Sequence, residues 1–247
     1  MIEKRFTING MEVDARYSES AVSGIFLPLL KKLTDLQHAK GRRILAMLAA
    51  PPGAGKTTLL NFLEVLSREQ ADLEEIQVIG MDGFHRRQDV LVKRMIERDG
   101  QMIPMVRIKG APVTFDLELL TERLKRVAAG ENCGWPLYNR LLHNPVENAL
   151  TVDRSIVLIE GNYFLLDEPG WRSLAKFADY TVSIKAEESF LRDRLIDRRI
   201  RSGVPEDAAI EFVDFSDMPN VRLCLERSGP ADLQLTIDAD GEYHVYG

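Results

Sequence analysis

The segment Ala50-Pro51-Pro52-Gly53-Ala54-Gly55-Lys56-Thr57-Thr58 decides the fold expected of this 247-residue chain. It matches the end of the pattern G-x-x-x-x-G-K-[ST], and it stands between an apolar run at 44–48 and a helical pattern at 57–68. Glycines let successive backbone N–H groups turn into one cavity, and the helix N-terminus adds positive potential there. The segment therefore predicts a loop that binds the phosphates of a nucleotide.

Each part of this loop has an expected contact. Lys56 is expected to reach the β- and γ-phosphates, and the Thr57 hydroxyl is expected to be a ligand of Mg²⁺. Ala50 replaces the first glycine of the pattern, which alters the loop only if the backbone there has a positive φ. The predicted nucleotide-binding residues are Pro51, Pro52, Gly53, Ala54, Gly55, Lys56, Thr57 and Thr58.

Outside the loop, short apolar runs alternate with helical patterns. This alternation predicts an α/β fold, the P-loop NTPase fold, with a mainly parallel sheet covered by helices on both faces. Asn9-Gly10 predicts an N-terminal hairpin, and a helical pattern follows at 20–36. Further predicted strands lie at 76–81, 155–160 and 180–184, further helices at 116–129 and 187–201, and a closing hairpin at 233–246.

The composition excludes some classes of protein. The chain has 38 acidic residues against 32 Lys plus Arg, a formal charge of -6, which argues against a general nucleic-acid binder. The two cysteines have no CxxC spacing, so we expect free thiols in a reducing compartment. No signal peptide and no apolar run long enough for a membrane span is recognisable, and we expect a cytoplasmic protein with no membrane partner.

Two carboxylates follow predicted strands. Asp82 stands in Met-Asp-Gly-Phe-His after the second strand, and Glu160 stands in Leu-Ile-Glu-Gly-Asn-Tyr at the end of the third. Because ligands of open α/β sheets collect at the carboxyl edge of the strands, both acids are expected beside the loop. In phosphoryl transfer to an alcohol, one carboxylate orients or deprotonates the hydroxyl, and another helps to hold Mg²⁺.

In this order, these motifs resemble the phosphoribulokinase/uridine kinase/pantothenate kinase superfamily, in particular its bacterial nucleoside/nucleotide-kinase-like branch, some of whose members are linked to sugar transport. The segments 109–116, 136–140 and 217–220 contribute to the resemblance, which extends from about residue 42 to 237. It implies an ATP- and Mg²⁺-dependent kinase that phosphorylates a hydroxyl of a small sugar, nucleoside or vitamin-like acceptor. It also implies one domain over 1–247, with an N-terminal hairpin and helix (1–41), an acceptor-binding region (83–145) and a lid region (187–215).

The resemblance also implies residue roles. Asp82 would be the catalytic base and Glu160 a metal-organising residue, while the loop from Asp217 to Asn220 would lie near the adenine. Asn139 stands where uridine kinases carry an acid, and His85 where pantothenate kinases differ, so neither substrate is supported. The acceptor-side candidates are Arg107, Lys109, Tyr138, Arg140, His143 and Tyr163.

The predicted helix at 187–201 is rich in arginine. Arg194, Arg198 and Arg201 recur at helical spacing, so they lie within one narrow arc of the helix. Arg198 and Arg199 match the Arg-Arg-Ile of the family, where a lid helix brings arginines over the transferring phosphate. For Arg194 and Arg201 a solvated, salt-bridged helix face stays an equal alternative.

Two other functions remain open. A P-loop GTPase or ATPase acting as a switch or chaperone also carries such a loop, but the chain lacks an Asn/Thr-Lys-x-Asp guanine motif and a clear Asp-x-x-Gly after the third strand. A nucleotide-binding protein without chemistry is suggested only by Ala50. Relatives often form dimers, so a homodimer is a further expectation.

Overall fold

The computed structural model describes residues 1–8 and 11–246. The strands are β1 (Ile2–Ile8), β2 (Met11–Tyr17), β3 (Ile44–Ala49), β4 (Ile76–Gly80), β5 (Met95–Arg98), β6 (Gln101–Pro104), β7 (Cys133–Asn139), β8 (Asn144–Val152), β9 (Ile156–Gly161), β10 (Tyr180–Ala186), β11 (Leu233–Ile237) and β12 (Tyr243–Val245). The α-helices are α1 (Glu19–Ala21), α2 (Leu27–Lys40), α3 (Lys56–Glu69), α4 (Gln88–Lys93), α5 (Leu117–Ala128), α6 (Glu188–Arg201), α7 (Glu206–Phe212) and α8 (Met218–Arg227). Within the described ranges, no helix combines the length and the apolar character needed to cross a bilayer.

Six strands form the central sheet, in the spatial order β12-β11-β10-β3-β9-β4. Every neighbouring pair is parallel except β11 with β12, which close the sheet as an antiparallel hairpin. The predicted fold class is therefore confirmed. Because β3 lies between β10 and β9, the loop that follows it opens at the carboxyl edge of the sheet, where neighbouring strands also end.

Strand β3 is buried on both faces, as its continuous apolar sequence predicts. Ile44 and Leu48 face a core that includes side chains of α2, α3 and α6. Leu45 and Met47 face a second core, built with α5, β7 and the segment after β9. The strand is thereby fixed from both sides, and so is the starting point of the phosphate-binding loop.

The N-terminal hairpin is confirmed by the antiparallel pairing of β1 with β2, while its predicted turn at Asn9-Gly10 lies outside the described residues. The helix after it extends further than predicted, because α1, a π-helical turn (Val22–Phe26) and α2 follow one another without a break. Tyr17 and Phe26 contact Phe62 of α3 and Tyr243 of β12 edge to face, with ring centroids 4.6–6.1 Å apart. The N-terminal unit thus packs against the helix that begins in the loop.

Two regions differ from the sequence prediction. The pairs β5–β6 and β7–β8 form separate antiparallel hairpins within the predicted acceptor-binding region. The segment 217–220 is helical rather than a loop, because a π-helical turn (Val213–Asp217) leads directly into α8. Pro219 stands in the first turn of α8, where a missing N–H costs no helical hydrogen bond, so this proline does not interrupt the helix.

Candidate active site

The loop between β3 and α3 has the backbone that its glycines predict. Gly53 and Gly55 have φ values of 86° and 82°, a region that side chains disfavour. Ala50 is not among the described non-glycine residues with positive φ, which are Asp99, His143 and Asn148. Its methyl group is buried without backbone strain, so the departure from the glycine pattern leaves the loop intact.

Lys56 is buried at the start of α3, and all three of its ammonium hydrogens have acceptors. Its Nζ donates to Asn162 Oδ1 at 2.6 Å and to the carbonyl oxygens of Ala50 at 3.0 Å and Pro51 at 3.1 Å. Burial lowers the pKa of Lys56, and the carboxylate of Glu160 opposes this shift. Contact with a nucleotide phosphate therefore requires Lys56 to exchange carbonyl partners for phosphate oxygens.

Asn162 is a site residue that the sequence analysis missed. It directly follows the Glu160-Gly161 pair at the end of β9, and parallel pairing places β9 beside β3. The motif Glu-Gly-Asn-Tyr was recognised, but only its acid received a role. A polar side chain just beyond a central strand is the signal that could have identified it, because such side chains reach the loop after the neighbouring strand.

Thr57 and Glu160 form a direct contact, in which the Thr57 hydroxyl donates to Glu160 Oε1 at 2.8 Å. Burial raises the pKa of Glu160, against the opposing effect of the Lys56 charge. Both side chains offer the oxygen ligands that Mg²⁺ prefers. Among the described residues no group of three or more His, Cys, Asp or Glu side chains converges.

Asp82 lies in a 3₁₀ turn (Met81–Phe84) directly after β4, and it is exposed to the cleft. Its carboxylate has no hydrogen-bond or ion-pair partner among the described residues. A side chain on the next residue, Gly83, would overlap the carbonyl oxygen of Pro136 in β7. Glycine here allows the turn that carries Asp82 to press directly onto the β7–β8 hairpin.

A cavity of about 240 Å³ joins these elements. It combines the loop helix, both strand-end acids and the hairpin, and it is lined by Thr57, Leu60, Asn61, Val78, Ile79, Gly80, Asp82, Gly83, Leu137, Tyr138, Arg140 and Glu160. Of the six predicted acceptor contacts, Tyr138 and Arg140 thus lie in one cavity with the predicted base and the predicted metal ligands.

Lys109 lies behind Tyr138 and is half-buried. Its Nζ donates to Tyr138 Oη at 2.6 Å, to Gln88 Oε1 at 2.9 Å and to the carbonyl oxygen of His143 at 3.2 Å. Desolvation lowers the pKa of Lys109, and Asp82 opposes the shift. His143 thus supports this group through its backbone, at a φ of 51° in the hairpin turn, while its imidazole is exposed.

Arg107 lies apart from the cavity. Its guanidinium lies 4.9 Å from the ring centre of Phe215, which Arg98 contacts from 4.4 Å. These contacts link the β5–β6 hairpin region to the π-helical turn before α8. The structure places Arg107 against the lid region rather than beside Asp82.

Two predicted ligand-binding side chains, Tyr163 and Asn220, are buried and make hydrogen bonds within the protein. Tyr163 is fully buried, its hydroxyl donates to the Gly110 carbonyl at 2.6 Å, and its ring packs on Phe115 and Trp171. Asn220 is 5% exposed, and its Nδ2 donates to the Ser216 carbonyl at 2.9 Å within the helical segment. Neither side chain has a surface to offer an acceptor or an adenine.

Helix α6 lies on the phosphate-binding loop. A Cβ on Gly53 would come within 2.9 Å of the Leu191 carbonyl oxygen and 3.1 Å of Leu195 Cγ. Arg194 Nη2 lies 3.0 Å from the corresponding position on Gly55. The predicted lid helix therefore packs directly on the loop.

Arg199 and Arg201 of α6 have carboxylate partners, whereas Arg198 has none among the described residues. Arg199 donates to Asp217 Oδ2 from Nε at 3.2 Å and Nη2 at 3.0 Å, and Arg201 donates to Asp197 at 2.6 Å. Arg198 has no carboxylate within 4.0 Å among the described residues. Desolvation lowers the pKa of Arg198, Asp217 opposes this shift, and Arg140 and Arg199 add to it, so this guanidinium lies near groups of both charges. Contact between Arg199 and a phosphate, as predicted, requires its ion pair with Asp217 to open.

Comparison with known proteins decides the family. The model of the Phosphoribulokinase / Uridine kinase family matches residues 45–227, which include the loop, both acids and α6. The chain belongs to this family. Members of this family are P-loop kinases that act on small metabolites. The chain is therefore a phosphotransferase of this general class.

Relatives of this family member cover most of its length. It is 40% identical over 239 residues to the "Uncharacterized protein YggC" of Escherichia coli K12, with 96% of this chain and 97% of the relative covered. It is 32% identical to a "Putative uridine kinase" of Schizosaccharomyces pombe, over 75% of this chain and 79% of the relative. A crystal structure described as a "putative fructose transport system kinase" from Silicibacter has a TM-score of 0.72 and 30% identity, covering 83% of this chain and 98% of that one.

Proposed function

We propose that this protein is an ATP- and Mg²⁺-dependent kinase that transfers the γ-phosphoryl group to a hydroxyl of a small metabolite. The observation that carries this proposal is the one cavity that Thr57, Glu160 and Asp82 line together. Nucleotide binding alone has no use for Asp82, a cavity-lining carboxylate without a hydrogen-bond or ion-pair partner among the described residues. Transfer to an alcohol requires such a group.

On the nucleotide side, the loop binds the phosphates, and Thr57 and Glu160 position the metal ion. Backbone N–H groups at the start of α3 and the ammonium of Lys56 bind the β- and γ-phosphates, while Thr57 and Glu160 hold Mg²⁺ directly or through water. A bound Mg²⁺ would neutralise negative charge that develops on the phosphate oxygens during the transfer. The buried position of Glu160 keeps this carboxylate oriented by Thr57 before the metal arrives.

On the acceptor side, Asp82 accepts a hydrogen bond from the hydroxyl and takes its proton as the new O–P bond forms. Because the transition state of phosphoryl transfer is loose, orientation of the hydroxyl contributes more than early proton removal. Gly83 fixes this orientation, because it holds the Asp82 turn against Pro136 of the hairpin that carries Tyr138.

The arginines of α6 supply charge over the loop. Arg194 lies over Gly55, and Arg198 faces the cleft without a carboxylate within 4.0 Å among the described residues. Guanidinium groups in such positions stabilise negative charge on the equatorial oxygens of the group in transfer. Arg199, which is held in an ion pair with Asp217, adds positive charge to the same region.

A sugar or polyol acceptor fits the cavity better than a nucleoside. Tyr138 is the single aromatic residue in the cavity lining, and its ring is already contacted by the Lys109 ammonium at 4.6 Å and the His85 ring at 5.4 Å. No aromatic face among the lining residues is therefore free to stack on a base. The Silicibacter structure at 30% identity, described as a fructose transport system kinase, supports the same class.

The test is an ADP-release screen over sugars, polyols, nucleosides and vitamins with and without a phosphate, with Lys56→Ala as the blank. Turnover of ATP that rises with an acceptor supports the proposal. A parallel thermal-shift series compares Mg²⁺–ATP with Mg²⁺–GTP. Preference for GTP, with turnover that no acceptor accelerates, would instead support the switch function.

A further inference from the structure

We propose that the acceptor carries an oxyanion, a phosphate monoester or a carboxylate, in addition to the hydroxyl that is phosphorylated, and that Arg140 and Tyr138 bind it. This inference rests on the proposed kinase function and specifies its substrate class. Three observations carry it: an arginine without an acidic partner, a tyrosine hydroxyl whose orientation is fixed, and the position of both relative to Asp82.

Arg140 is a cation without a partner in the described part of the chain. No carboxylate lies within 4.0 Å of it and its side chain makes no hydrogen bond, whereas exposed arginines elsewhere, such as Arg192 and Arg222, have carboxylate partners at 2.6–2.7 Å. Arg140 nevertheless lines the cavity beside Asp82. A guanidinium with all its N–H donors available matches an oxyanion in a two-point hydrogen bond.

The Tyr138 hydroxyl is set to donate into the cavity. An ammonium group has no lone pair, so the 2.6 Å contact with Lys109 uses Tyr138 Oη as the acceptor. Lys109 is held in this orientation, because its other two ammonium hydrogens are donated to Gln88 Oε1 and to the His143 carbonyl oxygen. The Tyr138 proton has no protein acceptor among the described residues. An incoming oxyanion supplies the missing acceptor.

The placement of these groups assigns them to the acceptor rather than to the nucleotide. Both lie at the open end of the β7–β8 hairpin, which contacts the Asp82 turn through Pro136 and Gly83. The nucleotide phosphates have their own cations, Lys56 in the loop and Arg194 over Gly55.

The experiment measures acceptor binding and turnover separately. Fructose, fructose 1-phosphate, fructose 6-phosphate and gluconate are titrated calorimetrically into the full-length protein, and the same compounds are assayed for ADP release. The variants are Arg140→Gln, Arg140→Lys and Tyr138→Phe. The matched control is Arg126→Gln on α5, which removes the same charge from an exposed arginine paired with Glu131 at 2.9 Å, away from the cavity.

We expect an anionic compound to bind at least about tenfold more tightly than fructose, because hydrogen bonds to charged groups are the strong class. Arg140→Gln should weaken that binding about 10- to 100-fold, Arg140→Lys and Tyr138→Phe should weaken it less, and Arg126→Gln should leave it unchanged. Preference for the sugar phosphates or for gluconate identifies the oxyanion as phosphate or carboxylate.

Equal binding of fructose and the anionic compounds, or anion binding that Arg140→Gln leaves unchanged, would overturn the inference. Turnover of fructose but of none of the anionic compounds would also overturn the inference, while the proposed kinase function would be retained. If anions bind in an Arg140-dependent way but no acceptor stimulates ADP release, the proposed kinase function is refuted and the proposed anion site is retained. The two proposals therefore fail in distinguishable ways.

Discussion

The Nη2 atom of Arg194 lies 3.0 Å from the position that a Cβ on Gly55 would occupy, so the guanidinium of this α6 residue lies directly over the phosphate-binding loop. Leu191 and Leu195 make the corresponding contact with Gly53. Loop and lid helix are thus packed together. Gly53 is required for space as well as for backbone conformation, and Gly55 for backbone conformation.

Gly53→Ala should destabilise the protein and remove the thermal shift produced by Mg²⁺–ATP. The matched control is Gly41→Ala, because Gly41 also has a positive φ, 59°, but has nothing within 4 Å of its Cβ position. The control should lose about 1–2 kcal/mol of unfolding free energy from backbone strain alone. Gly53→Ala should lose more, since its Cβ also meets the Leu191 carbonyl oxygen at 2.9 Å. Equal losses in urea unfolding would contradict the packing described for α6.

Asp82→Asn should abolish acceptor-dependent ADP release, lowering its rate by about 10²–10⁴-fold, the usual contribution of a positioned proton acceptor. The amide has almost the same shape and can still contact a hydroxyl, but it cannot take a proton. The Tm shift with Mg²⁺–ATP should be retained, because the loop residues are unchanged. A variant that keeps wild-type turnover would show that Asp82 is not the base.

Glu160→Gln should raise the Tm of the nucleotide-free protein at about pH 8. Burial raises the pKa of Glu160, so the folded state is favoured when this group is protonated and loses that stability as the pH rises through the folded pKa. Glutamine has no proton to lose, so the Tm advantage of the variant should shrink towards zero near pH 4.

The same variant should bind nucleotide with a smaller Mg²⁺ dependence, because the amide is a poorer ligand of a hard cation. Melting curves with and without EDTA measure this effect. A Tm advantage that grows as the pH falls has the wrong sign for a raised pKa and would refute the assignment.

Tyr163→Phe should affect stability and leave the acceptor KM unchanged. The variant loses the hydrogen bond to the Gly110 carbonyl, and an unsatisfied buried group costs about 1–3 kcal/mol. Tyr138→Phe is the informative comparison, because Tyr138 lines the cavity and its loss should raise the acceptor KM. If Tyr163→Phe raised the KM instead, the role suggested by the sequence would be restored.

Local sequence signals were sufficient for the loop and for the two acids. Lys56, Asp82 and Glu160 follow or adjoin central strands, and parallel strands bring their carboxyl ends to one edge whatever the details of packing. The α/β fold followed from the same alternation. Ala50 could be judged only from its backbone angle, which the sequence does not contain.

The β7–β8 hairpin was not predictable from periodicity. Pro136 reads as a strand breaker, and a bulge between Trp135 and Leu137 shifts the register, so the side chains do not alternate regularly. The buried positions of Tyr163 and Asn220 were not predictable for a different reason. A motif places a residue near a site along the chain, but only packing determines whether its side chain turns towards the ligand or into the core.

The contact between Gly83 and Pro136 has a consequence for changing the substrate of this kinase. A replacement at Pro136 or Leu137 that reshapes the pocket also shifts the turn that holds Asp82. At these two positions, a change that alters substrate selectivity therefore also disturbs the alignment of the base. Beyond them, from Tyr138 to the turn at His143, the hairpin is free of this constraint. Diversification of the preferred substrate, whether by evolution or in a mutant library, should therefore concentrate in the tip of the hairpin.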